Sequence, residues 1–96
     1  MGDLIIDPAR FVVERQGTKI RLRKKEFQLL EFLAHNKNQV VSRTSIMEYV
    51  WNYDVQAITN TLDVHMSKLR RKIDGNFSTK MIETVYGAGY KLCDKS

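Results

Sequence analysis

A single cysteine, Cys93, excludes any disulfide within the chain, so the 96 residues must be held by packing alone. Proline is also scarce: Pro8 follows Asp7 in a break between two strand-like runs, and the stretch Thr59 to Ile73 contains neither proline nor glycine. No apolar run approaches the roughly 18 residues that a membrane span requires, and no signal-peptide layout is present. A cytoplasmic domain without membrane partners is the expectation. Catalytic signatures are missing too. Paired carboxylates, a Gly-x-Ser-x-Gly elbow and a phosphate loop are all absent, and Asp63 and His65, two positions apart, point to different sides of a helix. His35 and His65 have no cysteine neighbours with which to form a zinc site. The expectation is a non-enzyme with no cofactor and no metal.

What is present is positive charge. Sixteen Lys and Arg against eleven Asp and Glu give a net charge of +5, and 43% apolar residues suffice for the one core that 96 residues can build. The cations are clustered, with Arg21, Arg23, Lys24 and Lys25 in one group and Lys68, Arg70, Arg71 and Lys72 in another. Such clusters neutralise phosphates and release counterions, which makes nucleic acid the first partner to consider and an anionic membrane surface the second. A charge that merely keeps a small domain soluble is the bland alternative.

Periodicity orders the chain. LII, FVV and the alternating Lys19-Ile20-Arg21-Leu22 are short β-type runs, separated by Asp7-Pro8 and by Arg15-Gln16-Gly17, and predict a small antiparallel sheet. From Lys24 to about Asn36, Phe27, Leu29, Leu30, Phe32, Leu33 and Ala34 cover most of a helix circumference, so this helix should be central. Ser42 is placed to cap a second helix running to about Trp51, with Ile46, Tyr49 and Val50 inward. Asn52 to Ala57 then connect to a third helix, about 58–73, whose Leu62, Met66, Leu69 and Ile73 recur at steps of four, three and four. Gly75 suits a left-handed helix end. Met81 to Val85 and Tyr90 to Leu92 flank Tyr86-Gly87-Ala88-Gly89 and read as a hairpin, about 82–92.

The resulting class is α+β: an N-terminal antiparallel sheet, a three-helix bundle and a C-terminal β-hairpin wing. Two short helices followed by a hairpin form the layout of a winged helix-turn-helix. On the third helix, Asn60, Thr61, Val64, Ser67, Lys68 and Arg71 lie opposite the apolar face, with His65 and Arg70 on its flanks.

Glu26-Phe27-x-Leu29-Leu30, Val41-Ser42-Arg43, Val50-Trp51, Asp63-Val64-His65-Met66-x-x-Leu69-Arg70-x-Lys72 and Thr84-Val85-x-Gly87-x-Gly89-Tyr90 stand in order along the chain. Together they resemble the DNA-binding effector domain of OmpR/PhoB-type response regulators, over about Leu4 to Leu92. The resemblance implies a four-stranded N-terminal sheet and a bacterial two-component transcription factor whose receiver domain precedes residue 1. It makes the third helix the recognition helix, with contacts at Asn60, Thr61, Val64, His65, Ser67, Lys68, Arg70 and Arg71, and adds Arg43 to the backbone-contacting set.

It also implies an RNA polymerase contact in the 52–57 loop, where Tyr53, Asp54 and Val55 stand, and tandem pairing with a second copy on direct repeats of double-stranded DNA. Two positions depart from the family pattern. Arg23 replaces the hydroxyl residue that usually caps the first helix, and Tyr86 replaces the wing arginine beside Gly87 and Gly89.

Chemistry divides these residues by role. Lys68 can donate to guanine O6 and N7, Asn60 can pair with an adenine edge, and Val64 offers a methyl surface to a thymine C5 methyl, so these three are expected to read bases. Thr61, His65, Ser67, Arg70, Arg71 and Arg43 suit the phosphate backbone, with a structural ion pair to Glu26 or another carboxylate as the equal alternative for Arg70. An RNA-binding or nonspecific nucleic-acid module is the competing function. It would call for exposed aromatics, whereas Phe27 and Phe32 belong to the core helix.

Overall fold

The computed structural model describes residues 3–51, 61–75, 77 and 79–94. Strands β1 (Leu4–Asp7), β2 (Val12–Arg15) and β3 (Thr18–Lys19) form an antiparallel sheet in that order. Helix α1 (Lys24–His35), the short strand β4 (Val40–Val41), α2 (Arg43–Trp51), α3 (Thr61–Asp74), and the hairpin β5 (Ile82–Val85) and β6 (Gly89–Leu92) follow. Helix α1 packs against both other helices and against β6, as its broad apolar surface predicts. Leu29, Leu30 and Leu33 of α1 meet Ile46 and Val50 of α2 and Leu62, Met66, Leu69 and Ile73 of α3 in one core.

Helix ends follow from local chemistry. Arg23 makes no side-chain bond to the amides of α1; instead Glu26 Oε1 reaches back to accept the Arg23 N–H at 2.9 Å. The Asn36 side chain donates to the Phe32 carbonyl and closes the other end. Ser42 caps α2 as expected, its Oγ accepting the Ser45 N–H at 3.0 Å.

Several expectations are corrected. The N-terminal sheet has three strands among the described residues, not four: β3 ends at Lys19, and only the Ile20 N–H, donating to the Val13 carbonyl, prolongs the pairing. Ile20 and Leu22 turn onto the core without a ladder partner, because the chain must leave the sheet to begin α1. Tyr49 does not point inward. It is exposed and stacks on Phe32 with ring centroids 4.6 Å apart. Gly75 is not left-handed; a Cβ there would lie 2.3 Å from the Arg71 carbonyl oxygen, so close approach to the helix end is what demands glycine.

The expected hairpin gains a third strand. Val40 and Val41 pair with Lys91 and Tyr90, giving a sheet of order β4-β6-β5, and Asn38 donates to the Leu92 carbonyl at 2.8 Å. Gly89 makes this possible. Its φ is +147°, and a Cβ would fall 2.0 Å from the Val41 carbonyl oxygen. The wing is therefore sewn to the start of α2 by backbone hydrogen bonds.

A second junction lies on the other side of α3. Arg15, expected in a turn, is the last residue of β2 and has no exposed surface. Its Nη1 donates to Asp74 Oδ1 and to the Ile73 carbonyl, each at 2.7 Å, its Nη2 donates to the Thr79 carbonyl, and its Nε donates to Asp3 at 3.2 Å. Asp74 in turn accepts the Met81 and Ile82 N–H groups, both at 3.0 Å. The N-terminal sheet, the C-terminus of α3 and the first residues of the wing thus meet at one ion pair.

Candidate nucleic-acid interface

Burial of Leu62, Met66, Leu69 and Ile73 fixes the rotation of α3, each side chain contributing roughly 1.5–3 kcal/mol. Val64, Ser67, Lys68 and Arg71, spaced three, one and three apart, consequently form one exposed row along the opposite side. Val64, at the N-terminal end of this row, retains 45% of its surface. The Lys68 and Arg71 side chains make no hydrogen bond or ion pair with other described residues, so two cations stand on this face without local neutralisation.

The other members of the cluster are engaged. Lys72 donates to the buried Glu26 at 2.6 Å, taking the partner that Arg70 had been considered for. Burial pushes the Glu26 carboxyl up, but the Lys72 ammonium and the Arg23 N–H outweigh it and hold it below its ordinary value. Arg70 instead crosses to the wing: its Nη2 donates to Thr84 Oγ1 at 2.6 Å and its guanidinium lies 5.8 Å from the centre of the Tyr90 ring. Arg70, expected from the sequence to contact the DNA backbone, is therefore a strut between α3 and the hairpin.

His65 sits on the flank with Nδ1 2.9 Å from the Thr61 carbonyl, which can only accept, so Nδ1 carries the proton. Its ring meets the Trp51 ring edge-on at 5.2 Å. Thr61 is half-buried at the start of the described helix. Asn60, Tyr53, Asp54 and Val55 lie outside the described residues.

Arg43, at the first position of α2, forks onto Asp63 of α3, with Nη1–Oδ1 at 2.5 Å and Nη2–Oδ2 at 3.2 Å. The Tyr90 hydroxyl donates to the same Oδ1 at 2.8 Å. The Arg43 guanidinium, then the Tyr90 hydroxyl, hold the Asp63 carboxyl below its ordinary value; reciprocally Asp63 raises Arg43. Burial, reinforced by Asp63, raises the Tyr90 phenol. This junction borders a cleft between the starts of α2 and α3 and the wing, lined also by Ser42, Thr44 and Thr84 to Gly89.

The wing tip is a tight turn in which the Ala88 N–H donates to the Val85 carbonyl at 2.9 Å and Gly87 has φ +81°. At its apex Tyr86 is 92% exposed, the most exposed large hydrophobic residue among those described. Sequence reasoning had identified the α3 row and the wing. It missed Asp63, Thr84 and Tyr90 as organisers of that surface, although all three stood within the spaced motifs; their partners are 14 to 27 residues away.

Residues 17–92 match the family described as transcriptional regulatory protein, C terminal. The chain is 47% identical over 92 residues to the transcriptional regulatory protein TrcR of Mycobacterium tuberculosis, covering 96% of this chain and 35% of that protein. It is 42% identical over 92 residues to the transcriptional regulatory protein CusR of Escherichia coli K12, covering 96% and 40%. It thus spans about two fifths of the length of these relatives. Among solved structures, the DNA-binding domain of the response regulator AdeR, in complex with an intercistronic region, superposes with a TM-score of 0.86 at 28% identity, covering 98% of this chain and 97% of that one. Family match, helix order and wing agree: this chain belongs to the C-terminal effector domains of OmpR/PhoB-type transcriptional response regulators.

Proposed function

We propose that this domain binds double-stranded DNA sequence-specifically, as the output domain of a two-component transcriptional regulator. The observation that carries the reading is the exposed row Val64, Ser67, Lys68 and Arg71 on α3, with two cations unpaired among the described residues and a glycine-tipped wing alongside. An α-helix fits the major groove, and this row has the chemistry for it. Lys68 donates to guanine, Val64 packs on a thymine methyl and Asn60 pairs with an adenine edge. Thr61, His65, Ser67, Arg70, Arg71 and Arg43 hold the backbone, and Tyr86 with Gly87 and Gly89 meets the duplex at the wing. The AdeR domain, seen with DNA, is similar in fold and sequence and supports the same use of this chain.

The resemblance extends the proposal. The domain acts in the cytoplasm behind a receiver domain, pairs with a second copy on direct repeats, and contacts RNA polymerase through the loop that holds Tyr53, Asp54 and Val55. RNA binding has less support, since Phe27 is buried and Phe32 is stacked on Tyr49 rather than offered to bases.

The deciding experiment is selection from a random duplex library at near-physiological salt. A short motif enriched in copies about one helical turn apart is the expected result. Salt-dependent binding with no enriched sequence would refute specific readout.

A further inference from the structure

An acid on a surface that meets phosphates should weaken binding by simple charge repulsion. Asp63 occupies such a place: it is exposed, on the first turn of α3, one residue before Val64 and at the edge of the cleft that runs beneath the wing. Both its oxygens are committed. Oδ1 accepts from Arg43 Nη1 and from the Tyr90 hydroxyl, and Oδ2 accepts from Arg43 Nη2. It therefore has little capacity left to read a base edge itself.

What the carboxylate does is join three elements. Arg43 starts α2, Asp63 lies in the first turn of α3, and Tyr90 lies in β6, paired in register with Thr84 of β5 and Val41 of β4. A fork onto a carboxylate fixes the plane of a guanidinium as well as its position, and a planar group held in place loses less entropy when it meets a second partner. Without Asp63 the Arg43 side chain would lose the fork that fixes its plane, while keeping the longer 3.4 Å bond from Nη1 to the Tyr90 hydroxyl.

We propose that Asp63 is a positioning residue for DNA binding: it sets the Arg43 guanidinium, and through Tyr90 the wing, in the geometry that engages the phosphate backbone. The inference rests on the DNA-binding reading above, and it reverses the sign expected of an acid at this place. Removing a negative charge from the face should strengthen binding if Asp63 acts by charge alone, and weaken it if Asp63 positions Arg43.

The test is a double-mutant cycle on the isolated domain, by fluorescence anisotropy on a selected duplex and on a scrambled one. Asp63→Ala and Asp63→Asn are expected to weaken binding about tenfold, the scale of one charge-assisted contact, although each raises the net charge by one. In an Arg43→Ala background the same substitutions are expected to cause a clearly smaller loss, only the part that acts through Tyr90. Tighter or unchanged binding by Asp63→Asn overturns the proposal, as does an equal loss with and without Arg43. Circular dichroism of each variant separates folding from binding, and the isosteric Asn variant serves where Ala unfolds the helix start. A readout free of DNA accompanies the cycle. The Arg43 guanidinium protons are expected to exchange faster in Asp63→Asn than in the unsubstituted domain, while those of Arg71 do not change. Absence of duplex binding by the unsubstituted domain would sink the DNA-binding reading, whereas unaltered Arg43 exchange in Asp63→Asn would sink the positioning role.

Discussion

Replacing Arg15 tests whether the buried ion pair holds the wing to the helix bundle. The side chain is wholly buried against an Asp74 carboxylate that is itself 3% exposed. Arg15→Met keeps the apolar stem and its volume but removes the donors to Asp74, the Ile73 and Thr79 carbonyls and Asp3. Breaking a buried pair by removing one partner costs about 3–5 kcal/mol, because the remaining charge is left uncompensated. Asp74 still accepts from the Met81 and Ile82 N–H groups, which softens the penalty and puts the expected loss near the lower end, about 3 kcal/mol. For a domain whose total stability is on the order of 5–15 kcal/mol, that is a large fraction. The expected result is a thermal midpoint about 12–24 °C lower, and a lower urea midpoint at an unchanged slope. A loss under about 0.5 kcal/mol for Arg15→Met would refute the reasoning, because surface-like substitutions have that size and the pair would then contribute only shape.

Other sites give sharper contrasts. Lys68→Ala should reduce discrimination between matched and scrambled duplexes by about 1–3 kcal/mol, while Arg71→Ala should weaken both and flatten the salt slope by about one unit, read from titrations at several salt concentrations. Gly89→Ala should destabilise the fold by about 2–4 kcal/mol, since the new methyl meets the Val41 backbone carbonyl and strains a positive φ; an unchanged melting temperature would show that β4 and β6 can part without cost. Asp3, Glu26 and Asp63 are all held below the ordinary carboxylate range, so the unfolded chain binds more protons than the native one in mild acid. Their stabilisation is complete above the unfolded values, about 4, and is lost as pH falls through the lower folded ones. Glu26→Gln should flatten that acid limb in denaturation midpoints measured from pH 7 downward, and an unaltered limb would remove Glu26 from the set.

The helices and the hairpin were legible in the sequence because each is set by local signals: steps of three and four on α3, and β-type runs flanking a glycine-containing turn in β5 and β6. The exposed row of α3 followed from the same period, as the complement of its buried face. The junctions were not legible, and the reason is the same in each. Val40 and Val41 are too short to announce a strand, and become one only when Gly89 brings β6 against them. Arg15 shares a strand face with buried Val13 two residues earlier, so alternation does aim it at the core; its charge argued for solvent. The resolution is Asp74, 59 residues on, whose own position past Ile73 gives no sign of burial until β5 returns across the helix end. A charged residue on the inward phase of a strand therefore points to a partner of opposite sign elsewhere in the chain, because the interior admits such a group only when it is paired. Arg43 and Asp63 extend this to the surface: nothing in the sequence paired them, and only the meeting of the starts of α2 and α3 beside Tyr90 of β6 makes them one unit.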